Sequence, residues 1–338
     1  MPLFTICCAD RINAGFPGVK SQWLYMPAME TLLAGMRAIT QAPWSIRTCH
    51  NASKLNRGDV FTWVGFAMAL KQPWRELKAR GVYTIHFQTE PFVGLSSDKI
   101  WSENAAHEVF LPGGPLATVD EIWDYSKHNI AVIQGGYDGI AKRPTFRHIP
   151  PGALDSIRNQ AERANLLNRS LHGRRRRDMH AHFLGLMYGN RADCVAALNQ
   201  MRPSPWIHSH GDTWSVAAFL KLLAADDNSL FLNVHKNCNA SETMAWPCEA
   251  FRFSLLLSVG ANVLSESCAD EAEYSGLVHF ATYGELERSA THIVANDPHH
   301  ESVADKFAQR FAPARILERA GVPELLASLP ALRRHGMR

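Results

Sequence analysis

The chain has 338 residues, 46% apolar and 20% charged, enough for two ordinary domains with substantial cores and the wrong profile for a disordered chain. Its 35 basic residues nearly balance 32 acidic ones, for a net charge of +3, which argues against nucleic acid as the main partner. No basic stretch leads into a short apolar one at the start, and no apolar run reaches about 18 residues, so neither a signal peptide nor a transmembrane segment is expected. The seven cysteines are scattered and without a CxxC pair, which reads as reduced thiols in a cytoplasmic protein.

Leu3 to Cys8 is the first expected strand. A glycine-containing loop follows, Ala9 to Lys20, with Asp10, Gly15, Gly18 and Lys20. It is either a simple turn or a place where backbone closely approaches an acceptor or a phosphate. A helix is expected from about Trp23 to Ile39 and a strand near Trp44 to Thr48. Asp59 to Val64 is a further strand, Trp74 to Arg80 a helix, and Val82 to Phe87 a strand that ends at Gln88-Thr89-Glu90-Pro91. This alternation predicts an open, mostly parallel sheet. Ile122 to Asn129 reads as a strand end and a helix start, with Ser126 placed to cap. Arg147 to Gly152 closes the first half, and its Pro-Pro-Gly is a natural boundary.

Asp155 to Arg177 is polar and ends in four arginines, a solvated linker by composition. His180 to Met187 then starts a second alternation. Tyr188-Gly189-Asn190-Arg191 is its exit loop, with a helix from Ala192 to Met201. A glycine loop at a helix start exposes N–H groups to an anion, and Arg191 there is either a phosphate ligand or a surface arginine. Trp206 to Ser209 is a strand and Ser215 to Ala224 a helix. Leu230 to Val234 is an apolar strand that stops at His235-Lys236. Pro247 suits a first helical position, and Gly260 supplies a left-handed stop after Val259. Asn262 to Leu264 begins the next strand, and Ser265-Glu266 ends it. Gly276 to Phe280 is a last strand, with helices expected at Tyr283 to Val294, His299 to Arg310 and Val322 to Arg334.

In such sheets ligands sit beyond the carboxyl ends of strands, beside helix N-termini. His235, Lys236 and Glu249 fall there. Glu249 and Arg252 are three apart and share a helix face. A carboxylate in a first turn can accept both hydroxyls of a ribose, or can simply favour the helix dipole and pair with Arg252.

The run LNVHK, then E-x-x-R on a helix ending in Gly, then VLSES, resembles the donor-sugar half of group-1-type glycosyltransferases. It is closest to the spore-coat, CgeB-like branch of the GT-B superfamily. A W-D-Y-S-x-x-N segment from Trp123 to Asn129 also resembles the family, and the likeness is clearest from Tyr125 to Phe311. It implies that Glu249 holds the nucleotide ribose, and that a basic residue after the first strand of the second half, here Arg191, meets the diphosphate. Many relatives carry two glutamates eight positions apart; here Glu242 and Glu249 are seven apart, so only Glu249 carries over.

The expected architecture is α/β: two Rossmann-like domains facing a cleft, of GT-B type. Residues 1–150 form the acceptor side, 151–178 a linker, and 179–338 the nucleotide-sugar side with the terminal helices. The expected function is transfer of a sugar from a nucleotide donor to an acceptor of unknown kind: glycan, protein or small molecule. No metal or cofactor is expected. Gly189, Asn190, Arg191, His235, Lys236, Glu249 and Arg252 would bind the donor. Asp10, His86 and Glu90 are candidate bases because each sits at or near a strand end. Gly15, Gly18 and Lys20 would face the acceptor. Two alternatives stay open. One is a metal-dependent hydrolase built on the pairs His180/His182 and His208/His210, since strand alternation puts both members of a pair on one face. The other is a nucleotide-sugar-binding protein without catalysis.

Overall fold

The computed structural model describes residues 2–8, 21–40, 44–48, 52–65, 72–91, 110, 113–140, 143–167, 180–185, 187, 190–211, 216–225, 230–235, 246–296 and 302–335. Asp10, Gly15, Gly18, Lys20, Gly189, Lys236 and the run Arg174 to Arg177 lie outside the described residues.

The chain divides into two compact units. The first contains β1 (Leu3–Cys8), α1 (Ser21–Ile39), β2 (Ser45–Thr48), β3 (Val60–Val64), α2 (Trp74–Ala79), β4 (Tyr83–Gln88), β5 (Glu121–Asp124), α3 (Lys127–Gly135) and β6 (Thr145–His148). Its six strands are all parallel, in the order β2-β1-β3-β4-β5-β6. All five residues of β3, Val-Phe-Thr-Trp-Val, are buried, as happens when helices cover both faces of a parallel sheet. Ser126 caps α3 as expected, its hydroxyl accepting from the Asn129 amide at 3.2 Å.

The second unit contains α4 (Asp155–Arg163), β7 (Ala181–Phe183), α5 (Asn190–Gln200), β8 (Ile207–Ser209), α6 (Val216–Ala225), β9 (Leu230–Asn233), α7 (Ala250–Ser258), β10 (Asn262–Glu266), β11 (His279–Ala281), α8 (Leu286–Asn296) and α9 (Val303–Arg310). Its five strands are parallel, in the order β11-β10-β9-β7-β8. In both sheets the first strand lies between the second and the third, the doubly wound pattern, and the strand order reverses beside that first strand. Both are Rossmann-like sheets, as the alternation of elements predicts.

Several expectations need correction. The terminal segment does not belong with the second sheet: α10 (Pro313–Arg319) and α11 (Val322–His335) fall in the first unit, whose last piece is Ala312–Arg338. The sequence reading also lacked α10 altogether. The segment expected as a linker from 151 starts as structure, because α4 buries Ile157 and Ala161. Asn190 and Arg191 open helix α5 instead of preceding it. Helix α7 begins at Ala250, three residues beyond Pro247, and Gly260 ends it at φ 73° as expected.

The cysteine reading also fails. Cys248 and Cys268 form a disulfide across 20 residues with Cα atoms 5.1 Å apart, and Cys194 is disulfide-bonded too. Nothing in a bare spacing of 20 announces a bridge; the pairing depends on β10 running beside β9. With it goes the argument from cysteine usage to a reducing compartment. Among the described residues, no helix is long and apolar enough to cross a membrane.

Candidate functional site

The strand order of the second unit reverses between β7 and β9. The carboxyl ends of these strands hold Phe183, Asn233, Val234 and His235, and α5 and α7 start just beyond. Arg191 lies in the first turn of α5, with 5% of its side chain exposed. Glu249 stands at the position before α7 with 34% exposed, and Arg252 lies in the first turn with 12%.

The two arginines bracket the glutamate. Arg191 Nη2 donates to Glu249 Oε1 at 3.2 Å, and Arg252 Nη2 is 3.8 Å from Oε2. Both guanidinium groups stand 5.2 Å from the centroid of the Phe183 ring, within cation–π range. Arg191 Nε also donates to the Val234 carbonyl at 3.1 Å. Arg252 Nη1 donates to Asn233 Oδ1, and Asn233 Nδ2 donates to Ser265 Oγ at 2.9 Å. Gly185 makes room for this arrangement. A Cβ there would stand 3.0 Å from Arg252 Nη2 and 3.0 Å from the Phe183 ring.

Three residues deep, the set holds two positive charges against one carboxylate. A carboxylate has about four acceptor positions, so two guanidinium contacts leave capacity for further donors on its exposed side. The arrangement can therefore accept hydroxyl hydrogens at Glu249 while presenting net positive charge beside it, which suits a ribose followed by phosphates.

His235 is almost fully buried. Its Nε2 lies 3.1 Å from the Ser267 carbonyl, and since a carbonyl only accepts, that nitrogen carries the proton. Burial lowers its pKa, against the attraction of Glu249, so the ring stays neutral. It stacks on Trp246 at 6.0 Å and 18°. Its backbone N–H donates to Glu266 Oε2 at 3.0 Å. His235 thus supports the loops and does not present its ring as a ligand. Asn190 is exposed at the start of α5.

In the first unit, His86 is a correction. It is fully buried in β4, against Phe110 at 5.6 Å and Trp74 at 6.4 Å. Burial drives its pKa down to about 3, and a base needs contact with an acceptor that this core position does not offer. Glu90 sits past the end of β4, partly exposed, with its carbonyl accepting from Asn129 Nδ2 at 2.9 Å and Gln88 Nε2 at 3.2 Å.

The four histidines of the hydrolase alternative do share one face. His182 and His208 are register partners on β7 and β8. They are paired with histidines, however: His182 Nδ1 lies 2.8 Å from His210 Nε2, and His208 Nε2 lies 2.9 Å from His180 Nδ1. Each pair uses a lone pair on one ring to hold a proton of the other. Among the described residues, no group of three or more His, Cys, Asp or Glu is arranged to hold a metal ion.

No sequence-family model matches the chain, and no curated protein does. Among solved structures, AviGT4, a glycosyltransferase involved in avilamycin A biosynthesis, is similar over 98% of both chains, at 12% identity and a TM-score of 0.52. The GtfA/B complex is similar over 82% of this chain at 11% identity and a TM-score of 0.45, and this chain spans 58% of the length of that one. UDP-GlcNAc 2-epimerase from Neisseria meningitidis, solved with UDP-GlcNAc bound, is similar over 96% of this chain and 100% of its own, at 10% identity and a TM-score of 0.43. With the two doubly wound sheets, the likeness to AviGT4 defines the class of fold: two Rossmann-like domains of GT-B type.

Proposed function

We propose that this protein is a glycosyltransferase that takes a sugar from a nucleotide-sugar donor. The observation that carries the reading is the Arg191–Glu249–Arg252 set at the strand-order reversal of the second sheet. Glu249 accepts the ribose hydroxyls. Arg252 fixes Asn233 and steadies Glu249. Arg191, expected from the sequence to meet only the diphosphate, holds Glu249 as well and adds charge where the phosphates begin. Gly189, Asn190 and Lys236 complete the diphosphate side. Positive side chains, in place of a metal ion, neutralise charge that grows as the sugar leaves. Glu90 or Asp10 takes the acceptor proton if the configuration inverts. The acceptor is a glycan, a protein or a small molecule, and the CgeB-like branch is the family the motifs favour.

The test is a panel of nucleotide sugars with release of nucleoside diphosphate as readout, and calorimetry with the nucleoside and its diphosphate. Turnover of one donor is expected. Glu249→Ala should weaken nucleoside binding by about 1.5–3 kcal/mol, the range for hydrogen bonds to a charged group. Arg191→Ala should weaken it too, because Glu249 loses the guanidinium donor at its Oε1. Wild-type binding of every ligand by both variants would place the pocket elsewhere. Binding without turnover would favour the non-catalytic alternative.

A further inference from the structure

Residues 246–249, directly before α7, have no regular structure, and Glu249 makes no side-chain cap hydrogen bond. Bonds from the Arg252 and Phe253 amides tie the Glu249 carbonyl to α7, but they do not hold the chain that enters Glu249 from its N-terminal side. Two ties to the exit of β10 do. The Ala269 amide donates to the Trp246 carbonyl at 2.7 Å. One residue before Glu249, Cys248 is bonded to Cys268, which lies two residues past Glu266, the end of β10. His235 joins the same knot from β9, its ring on Trp246 and its Nε2–H on Ser267. The carboxyl ends of β9 and β10 and the start of α7 are thus gathered by one bridge and a few hydrogen bonds.

We propose that the Cys248–Cys268 disulfide is a positioning element of the donor site, holding Glu249 for the ribose so that donor binding falls when the bridge is reduced. The inference rests on the donor-site reading above. Without the bridge, the turn keeps the Ala269–Trp246 hydrogen bond and the Glu249 carbonyl keeps its bonds from the Arg252 and Phe253 amides, but the carboxylate's ion pairs with Arg191 and Arg252, at 3.2 and 3.8 Å, lie on a side chain about a third exposed, where such contacts are screened. A turn held by those contacts samples more positions than a covalently closed one.

The chemistry balances with a dithiol as reductant. A thiolate attacks one sulfur, the Cys248–Cys268 bond breaks and a mixed disulfide forms. The second thiol of the reagent then displaces the protein sulfur and leaves as a cyclic disulfide. Two protons end on Cys248 and Cys268. Cys268 is partly exposed and Cys248 is buried, so attack comes at Cys268.

The probes are UDP, ADP and GDP by calorimetry, with inorganic pyrophosphate as a competitor. The whole protein is compared oxidised, reduced with dithiothreitol, reoxidised, and as the Cys248→Ala/Cys268→Ala double variant. The double variant isolates this bridge from the one at Cys194. Reduction and the double variant should each raise the Kd for the tightest nucleoside diphosphate by on the order of tenfold. Reoxidation should restore the wild type alone. Pyrophosphate competition should stay the same, because the ribose contact is what moves; general loosening would weaken both. Should the double variant not fold, dithiothreitol titration of the Cys194→Ala variant below its unfolding point isolates the same bridge. Equal nucleotide binding in the oxidised and bridge-free proteins overturns the proposal, and so does an equal loss of pyrophosphate. Oxidised Glu249→Ala runs alongside: if it binds like wild type, the donor-site reading has failed, and the bridge is judged separately.

Discussion

His86 shows how a residue can look catalytic in a sequence and be structural in the fold. A histidine near a strand end is a fair candidate for a base. Here both faces of β4 are covered, and the ring packs against Phe110 and Trp74. Its folded pKa is lowered to about 3, while the unfolded value is near 6.5. Between these values the unfolded chain binds one more proton than the folded one. The stability that a neutral His86 contributes is therefore complete above about pH 6.5 and is lost as pH falls toward 3. Each bound proton gives a slope of at most about 1.4 kcal/mol per pH unit. His86→Leu removes the titrating group, so its stability should fall less steeply than wild type between pH 6.5 and 4.5. Urea unfolding at three pH values measures this. Parallel slopes would mean that His86 is not held neutral.

At the scale of elements, close helix approaches are as decisive as strands. Gly35 lies inside α1, where alanine would be the better helix former by about 1 kcal/mol. A Cβ there would stand 2.7 Å from Leu317 Cδ1 and 2.8 Å from the Pro313 carbonyl, both on α10. The leucine can turn away, but the backbone carbonyl cannot. Gly35→Ala should therefore destabilise the protein by about 1–3 kcal/mol, as overpacking does, against the sign that propensity alone predicts. Thermal unfolding decides the sign. Such pairings were beyond the sequence reading, which had the α1 helix but not α10: seven residues opening on a proline carry too little periodicity to announce a helix. The central strands were legible because continuous apolar runs such as those of β3 and β9 have few other uses. The place of Glu249 was legible too, since it follows from strand, loop and helix in order. Its neighbours were not. Phe183 and Asn233 reach its arginines, and Ser265 reaches Asn233, only because β7, β9 and β10 lie side by side, and no local pattern marks residues separated by tens of positions.

For the whole molecule, the chain leaves the first unit at Gly152 and rejoins it at Ala312. Arg147 on β6 links those two pieces. Its Nη1 donates to the carbonyls of Ala320 at 2.5 Å and Gly321 at 3.1 Å, capping the end of α10. Its Nε and Nη2 grip Glu121 at 2.7 and 2.9 Å. Glu121 is 1% exposed and also accepts from Trp123 Nε1 at 2.6 Å and Tyr83 Oη at 3.1 Å. Removing the arginine would leave a buried carboxylate without its counter-charge and would take a donor from the Ala320 carbonyl, while the Gly321 carbonyl keeps the Leu325 amide at 3.3 Å. Arg147→Ala should cost about 3–5 kcal/mol, the range for breaking a buried pair. Arg147→Ala combined with Glu121→Gln should recover part of that loss, because the stranded charge is gone. The damage belongs to the first unit, so hydrogen exchange should quicken in β5, β6 and α10 and stay unchanged in β9 and β10, where the candidate donor site lies. Faster exchange spread evenly through both sheets would show instead that the two units open together, and that the link at Arg147 is not local.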